Sequence, residues 1–294
     1  MRRAAPGVVV IAILACVVEA AADSKREVEA IVRGHVENAA DVVAADAEVL
    51  AKGGRVKPNE IETELLDLHG DYGAQGGGSK TKITKLDVVA DDVHGTAWFH
   101  GRATIELQLD PKQPASSTPL RFNGIAVKDR VWTLVAVSYS EEVADAAMIE
   151  RASHVEPALA MPTAAVLRGE PTLAKAAGAW LSGSALAAAA SRTDRRVAGG
   201  TARDEYQTGV RATKLAASWD KLKLAAYKIE ARTFGDGSIG LVRAVVALPA
   251  VRAKRIVPMV LAAVAVLDAD GWRWVSLNWS DFTIPPRGGS VDVR

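Results

Sequence analysis

The chain has 294 residues, of which 49% are hydrophobic and 24% charged, and its formal net charge is +1. This composition is typical of globular proteins, and the length accommodates two domains that each bury a core. Because the near-neutral charge lacks the basic surplus that phosphate backbones attract, we exclude nucleic acid as a main partner.

Residues 1–22 have the three parts of an export signal. Arg2-Arg3 is a basic start, residues 8–18 are an apolar segment, and Ala20-Ala21-Ala22 offers a small-residue cleavage site. The apolar segment is shorter than the roughly 20 residues of a membrane span. We therefore expect a periplasmic or secreted protein without a stable membrane span. The alternative is a lipoprotein anchored at Cys16, since Ile13-Leu14-Ala15-Cys16 resembles a bacterial lipobox.

Cysteine and histidine usage excludes several kinds of site. Cys16 is the only cysteine, so the folded part has no disulfide, thiolate metal site or cysteine nucleophile. The histidines at positions 35, 69, 94, 100 and 154 show no paired spacing such as HExxH. We expect neither a metal nor a cofactor.

The first part of the mature chain predicts helices. Ser24 and Glu27 form a capping box that indicates a helix start. A second, short helix is predicted from Asn59 to about His69, and residues 72–80 form a glycine-rich connector. The apolar stripe of the first helix comprises Val28, Ile31, Val32, His35, Val36, Ala39 and Val43.

From Ile83 the hydrophobic period changes from helical spacing to alternation, which predicts strands. They cover Ile83–Val89, Thr96–Leu109, Leu120–Lys128 and Val131–Ser140. In Thr96–Leu109 one face is apolar, whereas the other carries Trp98, His100 and Arg102 and could meet solvent or another sheet.

The second half predicts the same order of elements. Residues 146–170 are a linker, Pro171 begins a helix, and another helix covers about residues 202–218. The strands return at Leu222–Thr233, Ser238–Leu248, Ile256–Leu267 and Trp272–Phe282. Two sets of helices followed by an antiparallel meander indicate an α+β architecture.

The end of each half carries the same signature. Trp132 matches Trp272, Ser140 matches Ser280 and Glu141 matches Asp281, each pair 140 residues apart. A period of this length predicts two copies of one domain-sized unit.

Residues Leu120–Val127, a tight turn and Trp132 to Ser140 recur as Val260–Leu267, a turn and Trp272 to Ser280. This pattern resembles the NTF2-like superfamily, in particular SnoaL-like proteins related to ketosteroid isomerase. The resemblance covers about residues 25–145 and 170–285. It implies two tandem cone-shaped domains, each with helices packed on a curved antiparallel sheet around a pocket. Since members often dimerise through their sheets, it also implies an intramolecular pseudo-dimer.

The resemblance sets the expected domains at residues 24–145 and 171–287, with residues 288–294 as a disordered tail. Its catalytic members use a buried carboxylate as general base, with polarising donors that converge on an apolar pocket. No such set can be placed here. Many SnoaL-like sequences have a histidine two residues before the closing serine, where this chain has Ser138 and Asn278.

The sequence therefore favours a non-catalytic protein that binds a small apolar ligand or a protein partner. The alternatives are an isomerase or cyclase with a carboxylate base, and a lipid-anchored envelope component. Aromatic rings with one polar atom suit an apolar pocket. Trp132 and Trp272 are expected in the core. The candidate pocket residues are Tyr139, Trp279, Phe99, Tyr72 and Asn278.

Overall fold

The computed structural model describes residues 7–38, 42–51, 54–56, 78–108, 112, 114–141, 165–181, 225–250 and 255–281. The first half contains α1 (Gly7–Asn38), β1 (Val43–Ala51), β2 (Gly54–Val56), β3 (Gly78–Asp91), β4 (Thr96–Gln108), β5 (Ser116–Lys128) and β6 (Trp132–Glu141). The second half contains β7 (Val166–Gly169), α2 (Pro171–Trp180), β8 (Ala225–Phe234), β9 (Ile239–Ala250), β10 (Arg255–Asp268) and β11 (Gly271–Asp281). The helices predicted at 59–69 and 202–218 and residues 72–77 of the glycine-rich connector lie outside the described residues, whereas residues 78–80 of the connector belong to β3.

The first sheet has six strands in the order β2-β1-β6-β5-β4-β3. β3 to β6 form the predicted antiparallel meander. β1 enters the sheet parallel to β6, and β2 returns antiparallel beside β1. The assignment of Val43 to the first helix is wrong, because the helix ends at Asn38 and Val43 begins β1. Pairing with β6 overrides the helical preference of this segment, which is rich in alanine and acidic residues.

The first helix is longer than the capping box predicts. α1 begins at Gly7, so the predicted start at Ser24 is wrong for the chain as it stands, and Ser24 lies inside a continuous helix. The predicted apolar stripe is confirmed from Val28 to Val36, since Val28, Val32 and Val36 are buried against the first sheet.

The second sheet has five strands in the order β11-β10-β9-β8-β7. β8 to β11 repeat the antiparallel meander, and β7 pairs parallel to β8. The sequence did not predict β7, which lies inside the expected linker. Its four residues are all exposed, so they carry no hydrophobic period.

α2 begins at Pro171, as predicted. The Glu170 carboxylate accepts a hydrogen bond from the Leu173 N–H at 2.9 Å, which lowers the pKa of Glu170. Leu173 and Ala177 are buried, and α2 packs on β7, β8 and β9. Trp272 is nearly buried, in line with its predicted core role, and its Nε1 donates to Thr172 Oγ1 at 3.3 Å.

The two sheets pack against each other through the faces that the helices leave free. The apolar part of this contact comprises Leu50, Trp98, Ile125 and Ala136 of the first half with Phe234, Ile239, Leu241, Ala262, Val264 and Val275 of the second. The layers are therefore α1, first sheet, second sheet and α2, which confirms the α+β class with helices on one face of each sheet. The mixed face of β4 meets another sheet.

Matching positions of the two meanders face each other across this contact. The cross-strand row Asp87, His100, Asn123 and Ser138 in the first sheet corresponds in register to Glu230, Arg243, Ala262 and Asn278 in the second. Each meander also has a register shift two residues further along the strand, after Ile125 in β5 and after Val264 in β10. Bulges bend a strand and increase its twist, so both sheets bend at the same place.

An ion pair joins the turns at one end of the sheets. His94 Nδ1, in the β3–β4 turn, lies 2.5 Å from Asp236 Oδ2, in the β8–β9 turn. The hydrogen bond that the His94 ring donates to the Asp236 carboxylate is the main cause that raises the pKa of His94 above 6.5. Hydrogen bonds from Ser238 and then His94 lower the pKa of Asp236 from 3.8 to about 2.

We expect this pair to make the stability of the protein depend on pH. Because folding raises the pKa of His94, its contribution is complete below pH 6.5 and is lost as the pH rises through the raised pKa. The contribution of Asp236 is present above pH 3.8 and is lost as the pH falls towards 2. Melting curves of wild type and His94→Gln should therefore differ near pH 5 and converge near pH 9. Both groups are half-exposed, so added salt should reduce the difference, and an equal difference at both pH values would contradict the assignment.

Candidate functional site

The face of the first sheet that α1 covers carries a group of aromatic side chains. Phe99, Phe122 and Tyr139 come from β4, β5 and β6, because alternate residues of each strand point to the same side. The ring centroids of Phe99 and Phe122, and of Phe122 and Tyr139, are 6.3 Å apart with tilted planes. These distances are typical of favourable aromatic pairs, so the group forms one continuous apolar surface.

Tyr139 brings a hydroxyl group into this apolar surface. The residue is 1% exposed, and within the described part of the chain no group forms a hydrogen bond with its Oη. Burial raises the pKa of the Tyr139 phenol, which favours the protonated hydroxyl. A protonated hydroxyl in apolar surroundings can donate one hydrogen bond to a carbonyl or ether oxygen.

His35 lies next to Tyr139 and is the residue that the sequence analysis missed as a site candidate. It is buried on the sheet-facing side of α1, and its ring centroid is 6.1 Å from that of Tyr139. The sequence held one signal, since His35 is the only polar side chain in the predicted apolar stripe of α1. The site thus joins an imidazole and a phenol from segments about 100 residues apart, which no local pattern can indicate.

The predicted pocket residues do not all meet in this place. Phe99 and Tyr139 share the α1-facing side of the first sheet. Trp279 lies in β11 opposite Leu261. Tyr72 lies outside the described residues.

Asn278 lies between the two sheets, where it is buried in a polar row. Its Oδ1 accepts a hydrogen bond from Ser140 Oγ at 2.7 Å, and its Nδ2 donates to Ser138 Oγ at 3.3 Å. Asn123 Nδ2 donates to Ser276 Oγ at 3.0 Å in the same row. The amide of Asn278 is therefore used in the contact between the sheets.

His100 also belongs to the contact between the sheets. It is 1% exposed, and its Nε2 lies 3.6 Å from Asp87 Oδ2 on the neighbouring strand. The mixed strand face that carries His100 therefore meets the other sheet and not solvent.

The described residues contain neither a cluster of metal-ligating side chains nor a helix able to span a membrane. In that part of the chain, no group of three or more His, Cys, Asp or Glu side chains is placed to hold a metal ion. Over the same residues, no helix has both the length and the hydropathy that crossing a membrane requires.

No protein-family model and no curated protein matches the sequence. Similar solved structures include an NTF2-like protein of unknown function from Prochlorococcus marinus, at 16% identity and a TM-score of 0.33, covering 42% of this chain and 98% of that one. An uncharacterised protein with a cystatin-like fold from Caulobacter vibrioides has 12% identity and a TM-score of 0.32, covering 42% and 94%. The type 2 hexachlorocyclohexane dehydrochlorinase LinA has 13% identity and a TM-score of 0.32, covering 42% and 86%. Each of these structures is matched over most of its own length and over less than half of this chain.

Proposed function

We propose that this protein binds a small, largely apolar ligand between α1 and the first sheet without transforming it. The buried hydroxyl of Tyr139 carries the proposal, because the residue is 1% exposed and its Oη has no hydrogen-bond partner among the described residues. A buried hydroxyl without a partner costs about 1–3 kcal/mol, which a ligand carbonyl or ether oxygen recovers on binding. The surrounding phenylalanine rings supply the apolar contacts.

Replacing Tyr139 by phenylalanine tests this proposal, because the substitution should increase stability without ligand and weaken ligand binding. Without ligand, Tyr139→Phe should raise the free energy of unfolding by about 1 kcal/mol, because it removes an unsatisfied buried hydroxyl. With ligand, the variant should bind about tenfold more weakly, because it cannot donate the hydrogen bond. Thermal denaturation and native mass spectrometry against a panel of aliphatic and aromatic ketones measure both effects.

The matched control is Tyr227→Phe, since Tyr227 is a half-buried tyrosine on β8 in the other sheet. It should leave ketone binding unchanged. A loss of stability in ligand-free Tyr139→Phe would show that the hydroxyl is already hydrogen-bonded within the fold. That result would remove the basis of the proposal.

A second candidate function is proton transfer on a carbonyl compound, as in isomerases and cyclases. The proximity of His35 to Tyr139 favours it, because an imidazole can exchange a proton while a phenol polarises the carbonyl. One experiment distinguishes ligand binding from proton transfer. Hydrogen–deuterium exchange next to the carbonyl of a bound ketone, lost in His35→Gln, would support catalysis, whereas binding without exchange supports the non-catalytic function.

Export is part of the proposal. Val28, Val32 and Val36, which pack on the first sheet, all lie beyond residue 22 and would remain in a cleaved chain. After cleavage, Ser24 and Glu27 would stand at the new end of the helix, where a capping box stabilises it. The mass of the protein recovered from cells decides between a chain that begins at Asp23 and a lipid-modified chain that begins at Cys16.

We also infer that the two sheets are duplicated units that form an intramolecular pseudo-dimer. Contacts between matching positions support it: Asn123 Nδ2 donates to the carbonyl of Ala262 at 3.4 Å, and Asn278 Nδ2 donates to the carbonyl of Ser138 at 3.4 Å. A two-fold relation between identical units brings equivalent residues together at its axis. The sheet faces are thereby used within the chain.

A further inference from the structure

A second concave site lies on the far side of the first sheet from Tyr139, where the edge of the second sheet meets β1. It is a partly open pocket of about 280 Å³. Its floor comes from the second sheet, because Arg168 on β7, Glu230 on β8 and Arg243 on β9 are neighbours in register. Glu48 on β1 closes the pocket from the first sheet.

The charges of this pocket leave one cation without a counter-ion in the described structure. Glu230 is 11% exposed and is bound by Arg243 Nη1 at 3.3 Å and by Lys228 Nζ at 3.1 Å. Arg232, which also lines the pocket, binds Asp46 Oδ2 at 2.6 Å and the Asp46 carbonyl at 2.8 Å.

Arg168 differs from the other two arginines. It is exposed, and it makes no ion pair or side-chain hydrogen bond with any residue that the structure describes. Gly169 holds it at the pocket, because a Cβ at that position would lie 2.0 Å from the Ala231 carbonyl oxygen. The close approach of the backbones fixes β7 on β8, and with it the backbone of Arg168, whose side chain lines the pocket.

The lining selects the kind of anion. A guanidinium presents parallel N–H donors that match the two oxygens of a carboxylate. Glu48 and Glu230 lie in the same pocket and would repel a dianion such as phosphate. Leu241 offers an apolar wall to a short hydrocarbon chain, and the volume limits the ligand to a small molecule.

We infer that this pocket binds a small monocarboxylic acid, with its carboxylate on Arg168 and its hydrocarbon part against Leu241. The site is separate from that of Tyr139 and does not depend on what binds there. Its affinity falls with ionic strength, because Arg168 is exposed to solvent.

Calorimetric titration of the full chain with butyrate tests the inference, with butyramide and inorganic phosphate as matched probes. We expect saturable binding of butyrate and none of butyramide, with phosphate weaker than butyrate. Arg168→Gln should weaken butyrate binding about tenfold, since a charge-assisted hydrogen bond is lost. Arg168 is exposed on an edge strand, so the variant should fold like wild type, which its melting temperature checks.

Arg130→Gln is the control, because Arg130 is exposed in the β5–β6 turn, and it should bind butyrate like wild type. Three results would each overturn the inference. They are the absence of saturable butyrate binding, equal butyrate binding by Arg168→Gln and wild type, and tighter binding of phosphate than of butyrate. Tyr139→Phe should leave butyrate binding unchanged, so failure here and failure of the ketone site are distinguished.

Discussion

Replacing Gly124 by valine is expected to lower the free energy of unfolding by about 3 kcal/mol. Gly124 on β5 lies opposite Phe99 on β4, whose ring covers the place where a side chain would be. A Cβ at Gly124 would lie 2.4 Å from Phe99 Cζ and 2.2 Å from the Ala136 carbonyl oxygen. The backbone oxygen belongs to the neighbouring strand β6, so it cannot move away without breaking the sheet.

Chemical denaturation of Gly124→Val measures this loss. The control is Gly178→Ala in α2, where a Cβ would make ordinary contacts at 3.6 Å with Leu167 and 3.7 Å with Ile229. Alanine has the higher helix propensity, so this variant should be more stable by about 0.5–1 kcal/mol. If Gly124→Val were as stable as wild type, the close packing of Phe99 on β5 would be refuted.

Replacing Trp98 by alanine is expected to cost about 4 kcal/mol. Trp98 is 3% exposed and is the largest side chain of the apolar contact between the sheets. Its removal leaves a cavity that strands of two sheets would have to move to close, which raises the cost of the lost apolar contact. We expect circular dichroism and tryptophan fluorescence to report a single transition at a lower denaturant concentration, because the sheets unfold together.

Trp98→Phe is the matched variant for this prediction. It keeps most of the apolar volume and removes an indole N–H that has no hydrogen-bond partner among the described residues. We therefore expect it to cost no more than about 1.5 kcal/mol. Two separate transitions in Trp98→Ala would mean that the sheets fold independently, and a loss below 1 kcal/mol would mean that their contact is not a packed core.

Local sequence patterns were sufficient for both meanders. The alternation from Ile83 to Val89 lies within β3, and that of Ser238–Leu248 covers most of β9. β1 could not be predicted, because its alanine and acidic residues favour a helix and only its parallel partner β6 makes it a strand. α1 extends past Ser24 because a capping box marks a helix start only where the preceding residues are not themselves helical.

The candidate site was predictable in part. Tyr139 and Phe99 followed from the strand pattern and the resemblance, because alternation places them on the same buried face. The partnership of His35 with Tyr139 depends on how α1 lies across the sheet, which no spacing in the sequence encodes. The arginine pocket is likewise invisible in the sequence, since its charges come from β1, β7, β8 and β9 and meet only in the folded chain.

Both sheets belong to one covalent chain, so the equilibrium between packed and separated sheets does not depend on protein concentration. Two separate subunits joined by the same faces would dissociate on dilution, whereas here the effective concentration of one sheet near the other is fixed by the connecting residues. In a symmetric homodimer every residue of the interface appears twice, whereas the two halves of a single chain can carry different residues at matching positions. Asn123 can therefore donate to the carbonyl of Ala262, although Ala262 itself occupies the position that matches Asn123 and has no polar side chain. An identical pair would have to place two asparagines at one axis.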